Sequence, residues 1–565
     1  MAGMYFFGRF SFLAIAVLSG AYSVYAITKY RAACCVSRAR LVIPRAVSLF
    51  YASLRRNDPA RDFHHHHHQH RDDDDHTAKD ASKGLAAQPG ATRASSSSAA
   101  NWSGATETST PSVSCPVVFV ANTNFEANVR AVVSLLLKNN KQVRLSTKGV
   151  RCPELLERAA ALMEKYAVPC PEYDIISPGR PFVSGLLTST AAETLLWARR
   201  GTFSSLLLGQ PILDALSAAR YVEAMTLNFS SKVRCLVVVD AVEQLELLWN
   251  AAKEWISDRG YTRLGFDNAV ESLQFELMLR IDVSGDSLRN FFWHKEEQET
   301  LCSTRQVTQF CGKVGEFNAK LSKEKLPVGV QFVIRGLWTY EDGQLSQMDI
   351  APNFSPNAIG CTPARWFLRY PLLQWYKQYV SRNLQMRCMS ILQRLSYEKQ
   401  VSTEDLLTSG GSSVSLVYSA QDSTLAEVCM GAGLLCGHQL DCYVDSPFKP
   451  SLYFALAVTR VAPHRIVICS GFGHNLSGAI PVYPPKLQSI HSHGADIDDD
   501  LEVGVMVLDG TPEERLISIG DPIVFRPEYS SVLAELVDSF LLITEEGEVS
   551  AVMHTYRGEG WNIWA

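Results

Sequence analysis

The body of the chain alternates short apolar runs with amphipathic segments. Val117–Ala121 and Val143–Ser146 are short runs typical of strands, whereas Phe125–Lys138 and Pro153–Tyr166 repeat apolar residues at i, i+3 and i+4 and predict helices. Strands rich in Val, Leu and Ile that alternate with helices indicate a parallel sheet covered on both faces. The pattern fits a closed barrel and an open doubly wound sheet equally well.

The pattern changes after about residue 415, where strand-like runs follow one another without a comparably clear long helix. These runs are Val414–Val417, Tyr453–Val458, Arg465–Cys469, Val503–Val507, Pro522–Phe525 and Phe540–Thr544. Short strands joined by turn-rich sequence predict a separate β-rich domain.

The N-terminal region has a different composition from the rest. Phe10–Ile27 is uncharged and mostly apolar, and residues 1–57 contain eight Lys or Arg and no Asp or Glu. A single N-terminal membrane helix fits this length, with Lys29 and Arg31 holding the body in the cytosol. A cleaved secretory signal and a mitochondrial or other organellar presequence are the alternatives.

Residues 58–114 are of low complexity, with a His64–His68 run, an Asp72–Asp75 run and a long Ala/Ser/Thr/Gly tract. So few large apolar side chains cannot offset the entropy of ordering, which predicts a disordered linker. The expected organisation is an anchor or targeting segment at 1–57, this linker, a barrel domain at 115–415 and a β domain at 416–565.

Charge and cysteine content narrow the function classes. The net charge is −5, and because residues 1–57 carry +8 the remainder carries −13. An acidic body argues against nucleic acid as a partner, since phosphate binding needs a basic surface. The 14 Cys show no zinc-type spacing and are typical of reduced thiols used as small apolar residues.

Several short motifs occur in an order that resembles a known family. Ser146–Pro153 (STKGVRCP) is followed by Leu208–Pro211, Thr408–Gly411, Gly431–Gly433 and Thr555–Gly560. The series resembles the D-threonine aldolase and D-serine dehydratase-like group of pyridoxal-phosphate enzymes, which have the alanine racemase-like fold. The resemblance implies a (β/α)8 TIM-type barrel followed by a β-rich C-terminal domain, and so favours the barrel over the doubly wound sheet.

The resemblance also implies the site residues. Lys148 corresponds to the catalytic lysine that holds the cofactor aldehyde as an imine, and it follows a strand, where barrel enzymes place catalytic groups. A phosphate needs donors on a loop with little side-chain bulk. The implied cofactor-binding residues, besides Lys148, are Thr408, Ser409, Gly410, Gly411, Ser412, Ser413, Gly431 and Gly433.

Two positions depart from the family pattern. Relatives bind a divalent metal through a His and a nearby Cys or Asp, but Pro527–Tyr529 stands here, with neither His nor Cys. We therefore expect the metal site to be lost, with Glu528, Glu535 or the pair His491 and His493 as the residues that would rebuild one. Relatives also place a Tyr near the cofactor ring, and Arg335 is the residue expected there.

The sequence therefore predicts a pyridoxal-phosphate enzyme that acts on a D-amino acid through Lys148. The resemblance implies a lyase of the aldolase or dehydratase type, with a racemase-like reaction as the option that needs no metal, and a homodimer. The alternative is a non-catalytic, membrane-tethered relative that binds the cofactor or a protein partner.

Overall fold

The computed structural model describes residues 43–56, 115–168, 180–227, 233–257, 272–282, 301, 303–324, 329–340, 382–399, 406–442, 446–462, 466–471, 479–485, 487–490, 502–507 and 517–564. The apolar segment 10–27 and the linker 58–114 lie outside these residues. Within the described ranges, the helices are all too short or too polar to cross a membrane.

Eight parallel strands close into a barrel in sequence order. They are β2 (Gln142–Ser146), β3 (Val183–Thr188), β4 (Ser205–Leu208), β5 (Arg234–Val239), β6 (Ser272–Asp282), β7 (Gly329–Tyr340), β8 (Leu407–Gly410) and β9 (Glu427–Met430). β9 pairs with β2 in parallel and completes the ring. The predicted barrel is confirmed.

One helix precedes the first barrel strand, and the others connect successive barrel strands. They are α2 (Asn122–Lys138), α3 (Pro153–Ala167), α4 (Ala191–Arg200), α5 (Ala215–Leu227), α6 (Val242–Trp255), α7 (Thr304–Leu321), a helix α8 over 382–399, and α9 (Leu416–Gln421). Local sequence sets their ends: in α4 the Thr190 hydroxyl accepts a bond from Glu193 N at 3.1 Å, and Gly201 ends the helix with φ +68°.

The barrel interior combines an apolar layer with one buried ion pair. Leu207, Leu236, Val238, Met278 and Trp338 form a buried cluster of their own. Arg144 and Glu427 meet in a two-pronged ion pair, with Nε to Oε1 at 2.5 Å and Nη2 to Oε2 at 3.1 Å. Both side chains are almost completely buried, so each charge depends on the other for compensation.

The second unit is a nine-stranded sheet with one further helix, α10 (Ser530–Leu536). Its strands are β1 (Val117–Ala121), β10 (Leu452–Ala462), β11 (Ile466–Ser470), β12 (Ile480–Tyr483), β13 (Leu487–Ile490), β14 (Glu502–Val507), β15 (Pro522–Arg526), β16 (Ser539–Ile543) and β17 (Val549–His554). The β-rich unit that the sequence predicts after the barrel is present.

Two strands lie on the other side of the expected boundary at 415. β1 belongs to the sheet, antiparallel to β10 and parallel to β16, and β9 belongs to the barrel. β1 is buried at all five positions because Val118 and Val120 face the main core while Val117 and Phe119 face a second cluster. A strand covered on both faces has the same sequence pattern in either unit.

A helix near the N-terminus covers the outer face of this sheet. In α1 (Arg45–Arg56) the buried side chains include Val47, Phe50, Tyr51 and Leu54, which pack with Phe119, Tyr453, Val524, Leu541 and Ile543. The segment 1–57 therefore contains part of the folded body as well as the basic, apolar N-terminus.

One predicted strand is wrong. Val414–Val417 has a β-branched pattern, but the chain forms the short helix α9 from Leu416. The reciprocal bonds of Ser412 and Ser415, with Ser412 N to Ser415 Oγ at 3.0 Å and Ser415 N to Ser412 Oγ at 3.2 Å, fold the loop into a turn before this helix. Local side-chain hydrogen bonds here outweigh strand propensity.

Candidate active site

Lys148 occupies a short turn at the carboxyl end of β2. The turn, Thr147–Gly149, is a single 3-10 turn that leads towards α3. Thr147, Gly149 and Val150 are buried, whereas Lys148 is exposed and lines a cavity of about 380 Å³. The backbone around this lysine is thus fixed by packing, while its amine is accessible from the cavity.

The cavity lies at the carboxyl ends of the barrel strands, where barrel enzymes carry their catalytic groups. Ser146, Ser189 and Thr339 at or just beyond strand ends line it, and the sheet unit contributes Glu528 and Tyr529. Its volume falls within the range of small-molecule sites, about 300–1,000 Å³. Among the described residues that line the cavity, the charged side chains are those of Lys148 and Glu528.

Contacts from the sheet unit fix the backbone of the lysine turn. Ser530 Oγ donates to Gly149 O at 2.7 Å, and Tyr556 N donates to Arg151 O at 2.9 Å. A Cβ at Gly149 would lie 2.4 Å from the Ala432 nitrogen, so only glycine permits this approach. The turn therefore depends on both structural units.

The glycine- and serine-rich loop after β8 forms another wall. Gly411, Ser412, Ser413 and Val414 line the cavity, and Gly411 has φ +83°, which favours glycine. Gly431, at the start of the next turn, lines it as well. Four of the implied cofactor-binding residues, Gly411–Ser413 and Gly431, therefore share one cavity with Lys148.

The other four implied residues do not line this cavity. Thr408 and Ser409 lie within β8, where Thr408 Oγ1 accepts from Ala426 N at 2.8 Å and Ser409 Oγ contacts Cys429 Sγ at 3.1 Å. A Cβ on Gly410 would lie 1.9 Å from Thr339 Oγ1, and one on Gly433 would lie 2.2 Å from the Phe448 ring. These glycines allow close packing behind the site.

Ser413 joins the two loops through its hydroxyl. Its Oγ accepts from Gly431 N at 3.2 Å and from Gly433 N at 2.9 Å, so both lone pairs of the oxygen are used. Gly431 and Gly433 are expected from the sequence to bind the cofactor, but their backbone N–H groups are occupied by Ser413 and are not free to bind a phosphate. The Ser413 O–H has no acceptor among the described residues, so it can donate to an anion in the cavity, and the Ser412 hydroxyl, 3.2 Å from Ser415 Oγ, lines the cavity beside it.

Sequence reasoning missed the residues of β7 and β9 that line the cavity, which include Trp338 and Cys429. Burial raises the pKa of the Cys429 thiol to about 12, so it stays protonated at neutral pH and is not a nucleophile. An aromatic residue near the end of a barrel strand was the available signal for Trp338.

The expectation for Arg335 is wrong. Its Nε binds Glu276 Oε1 at 2.9 Å, and it precedes Trp338 by three residues on β7. At about 3.3 Å per residue that is roughly 10 Å from the cavity end of the strand. β7 ends at Tyr340, five residues beyond Arg335, so Arg335 lies within the strand and not at its carboxyl end.

No cluster of three or more His, Cys, Asp or Glu side chains suited to a metal occurs in the described ranges. Glu535 forms an ion pair with Arg151, and Glu528 lines the cavity. The other candidates, His491 and His493, lie outside those ranges.

Comparison with solved structures identifies proteins of the same architecture. The crystal structure of D-threonine aldolase from Filomicrobium marinum matches with a TM-score of 0.54 at 15% sequence identity, over 79% of this chain and 96% of that one. D-threo-3-hydroxyaspartate dehydratase from Delftia sp. HT23 matches with a TM-score of 0.51 at 11% identity, over 78% of this chain and 97% of that one. No protein-family model and no curated protein matches the sequence. The chain thus has the fold of these two enzymes, a (β/α)8 barrel joined to a C-terminal β domain.

Proposed function

We propose that the chain is a pyridoxal-phosphate-dependent enzyme that acts on a D-amino acid, with Lys148 as the residue that binds the cofactor. The observation that carries this proposal is the placement of Lys148, the exposed member of an otherwise buried turn at a strand end, in one cavity with Ser412 and Ser413. The structural neighbours are named as an aldolase and a dehydratase of D-configured substrates, which supports the substrate class.

The donor set of the cavity fits the cofactor. The hydroxyls of Ser412 and Ser413 would hold the phosphate, and the Lys148 amine would bind the aldehyde carbon. When bound, pyridoxal phosphate supplies an electron sink for the α-carbon of an amino acid. Among the described side chains that line the cavity, Lys148 provides an amine and Glu528 a carboxylate, which makes them the candidates for proton transfer at that carbon.

The same cavity does not fit the metal of the resembling enzymes. Glu528, Tyr529 and Ser531 line it where a His with a Cys or Asp is expected from the resemblance. One carboxylate with two hydroxyls lacks the imidazole and thiolate ligands of the set that the resemblance implies. We therefore assign no step to a metal, and we favour a reaction that breaks a bond at Cα without β-hydroxyl activation, such as racemisation.

The proposal is tested with the full-length chain purified in the presence of pyridoxal phosphate. We expect a visible absorption band of lysine-bound cofactor, and after borohydride reduction mass spectrometry should find the cofactor on Lys148. Lys148→Ala should lose both signals, whereas the control Lys165→Ala, an exposed lysine on α3, should keep them. Absence of the band from the parent protein would refute the proposal.

Substrate and metal are then tested on the loaded protein. D-Ser, D-Thr and D-Ala are each added with and without EDTA or Mn²⁺, and product formation is measured by chiral chromatography. Turnover that survives EDTA supports the metal-free reaction. A stable cofactor band with no turnover of any D-amino acid would instead favour the non-catalytic cofactor-binding relative.

A further inference from the structure

A buried carboxylate, Glu193, lies behind the Lys148 turn, outside the cavity. It belongs to the first turn of α4 and is completely buried. Ser189 N donates to its Oε2 at 2.5 Å, and the Tyr556 hydroxyl donates to its Oε1 at 2.7 Å. The hydroxyl of Thr147, the residue before Lys148, donates to Leu187 O at 3.1 Å and lies near this carboxylate.

Capping of helix α4 accounts for the hydrogen bond from Ser189 N to Glu193 but not for the hydrogen bond from Tyr556. Thr190 and Glu193 have the spacing of a capping box, in which the glutamate accepts a backbone N–H at the helix start. Oε2 fills that role through Ser189, but a capping glutamate does not need burial or a second partner. Burial raises the pKa of Glu193, against the hydrogen bonds from Ser189, Thr147 and Tyr556, so the site opposes the ionised form.

Tyr556 reaches the lysine turn from both sides. Its hydroxyl donates to Glu193, which lies near Thr147 before Lys148, and its backbone N donates to Arg151 O at 2.9 Å after Lys148. Trp197 Nε1 donates to the same hydroxyl at 2.8 Å and so fixes its orientation. Tyr556 thus bonds the backbone after Lys148 directly and approaches the residue before it through Glu193.

The segment also carries backbone strain. Arg151 has φ +46°, the left-handed region that a long side chain rarely adopts. Such a conformation persists only where surrounding contacts hold it, and strained residues concentrate at functional sites. The bond from Tyr556 N to Arg151 O is one of those contacts.

We propose that Glu193 and Tyr556 form a positioning pair that sets the direction in which the Lys148 side chain enters the cavity. The inference rests on the proposed function of Lys148 and deepens it. Neither residue lines the cavity, so the pair acts through the turn and through Ser189, which does line it. The pair links the C-terminal segment of the sheet unit to the reactive group of the barrel.

Tyr556→Phe is the sharpest test because it removes one oxygen and keeps the ring, which stacks on Trp561 with centroids 5.0 Å apart. Tyr453→Phe is the matched control. Tyr453 is a buried tyrosine of the same sheet unit, and its hydroxyl donates to Pro450 O at 3.3 Å. Glu193→Gln is the second variant, which keeps the shape of the side chain but replaces one of its two accepting oxygens with an NH2 group that cannot accept a hydrogen bond.

Three readouts are measured on full-length proteins: the melting temperature, the circular dichroism of the cofactor band, and the labelling rate of Lys148 relative to Lys165. Labelling uses trinitrobenzenesulfonate without cofactor and is quantified by peptide mass spectrometry. We expect Tyr556→Phe and Glu193→Gln to change the cofactor dichroism, to alter the relative labelling of Lys148 and, when the cofactor band is titrated, to show cofactor binding weaker by roughly tenfold or more. Tyr453→Phe should leave the last two readouts unchanged.

A lower melting temperature with unchanged dichroism and unchanged relative labelling would overturn the proposal, because the pair would then be purely structural. If Tyr556→Phe does not fold, Glu193→Gln decides by the same criteria. If the parent protein binds no cofactor, the proposed function fails, but the labelling experiment still reports whether the pair orients Lys148. The two failures are therefore distinguishable.

Discussion

Phe50→Ala in the N-terminal helix α1 tests whether this helix is part of the folded body. Phe50 is 1% exposed, and its ring lies against the Phe119 ring of β1 with centroids 4.7 Å apart. The backbone there cannot move closer to the sheet unit to fill a cavity, because a Cβ on Gly547 would already lie 2.7 Å from Phe50 N. The truncation therefore leaves a cavity that the surroundings fill poorly.

A buried Phe→Ala change of this kind costs about 3–5 kcal/mol in the free energy of unfolding. The measurement is urea unfolding of the full-length chain, followed by circular dichroism. Leu49→Ala is the matched control on the same helix, since Leu49 is 37% exposed. We expect the control to cost less than about 1 kcal/mol.

If Phe50→Ala and Leu49→Ala lower the free energy of unfolding by equally small amounts, the packing of α1 on the sheet is refuted. A fragment that begins at residue 115 gives an independent check. It exposes the face formed by Phe119, Tyr453 and Leu541, so we expect it to aggregate or to unfold at lower urea than the full chain. An unchanged midpoint for that fragment would likewise contradict the reasoning.

The remaining predictions concern buried groups and glycines, each measured by urea unfolding. Burial opposes the ionised form of Glu427, but the Arg144 charge and the hydrogen bonds to the carboxylate outweigh burial and lower its pKa. The contribution of this ion pair to the free energy of unfolding is therefore full at neutral pH and is lost as the pH falls below about 4.3. Glu427→Gln should lower the free energy of unfolding by about 3–5 kcal/mol because it leaves Arg144 unpaired. Tyr221→Phe should be neutral or stabilise by up to about 1–3 kcal/mol, since the buried hydroxyl has no hydrogen-bond partner among the described residues; a clear loss would contradict this. Gly433→Ala should destabilise by about 1–3 kcal/mol through overpacking, whereas Gly312→Ala, with open space around it, should stabilise α7 by up to about 1 kcal/mol.

The alternation of strands and helices was predictable because their patterns repeat regularly, whereas the choice of a closed barrel rested on the resemblance carried by the motifs around Lys148. The sequence could not assign β1 to its unit, since a strand buried on both faces reads alike in a barrel and in a covered sheet. A signal for α1 was present: Val47, Phe50, Tyr51 and Leu54 have the spacing of one helix face. The neighbouring basic and apolar sequence led to a single targeting segment instead.

The part of the candidate site that could be predicted is the part formed by short local motifs. Lys148 and the serine loop could be found from local motifs, but Glu193 is paired with Tyr556, 363 positions further along the chain. Such a pairing depends on how the C-terminal segment packs against α4, and no local pattern encodes it. Arg335 was placed wrongly for a related reason, because strand ends are the least reliable part of a sequence-based assignment.

The contacts of the lysine turn connect the stability of the sheet to the geometry of the site. Ser530 and Tyr556, which bond Gly149 and Arg151, follow strands β15 and β17 of the sheet. Helix α1 covers the outer face of that sheet, against β15 and β16 among others. Because β16 pairs with β17, loosening α1 should also loosen the segment that carries Tyr556. We therefore expect Phe50→Ala to alter the relative labelling of Lys148 before it unfolds the barrel, although the two residues belong to different structural units.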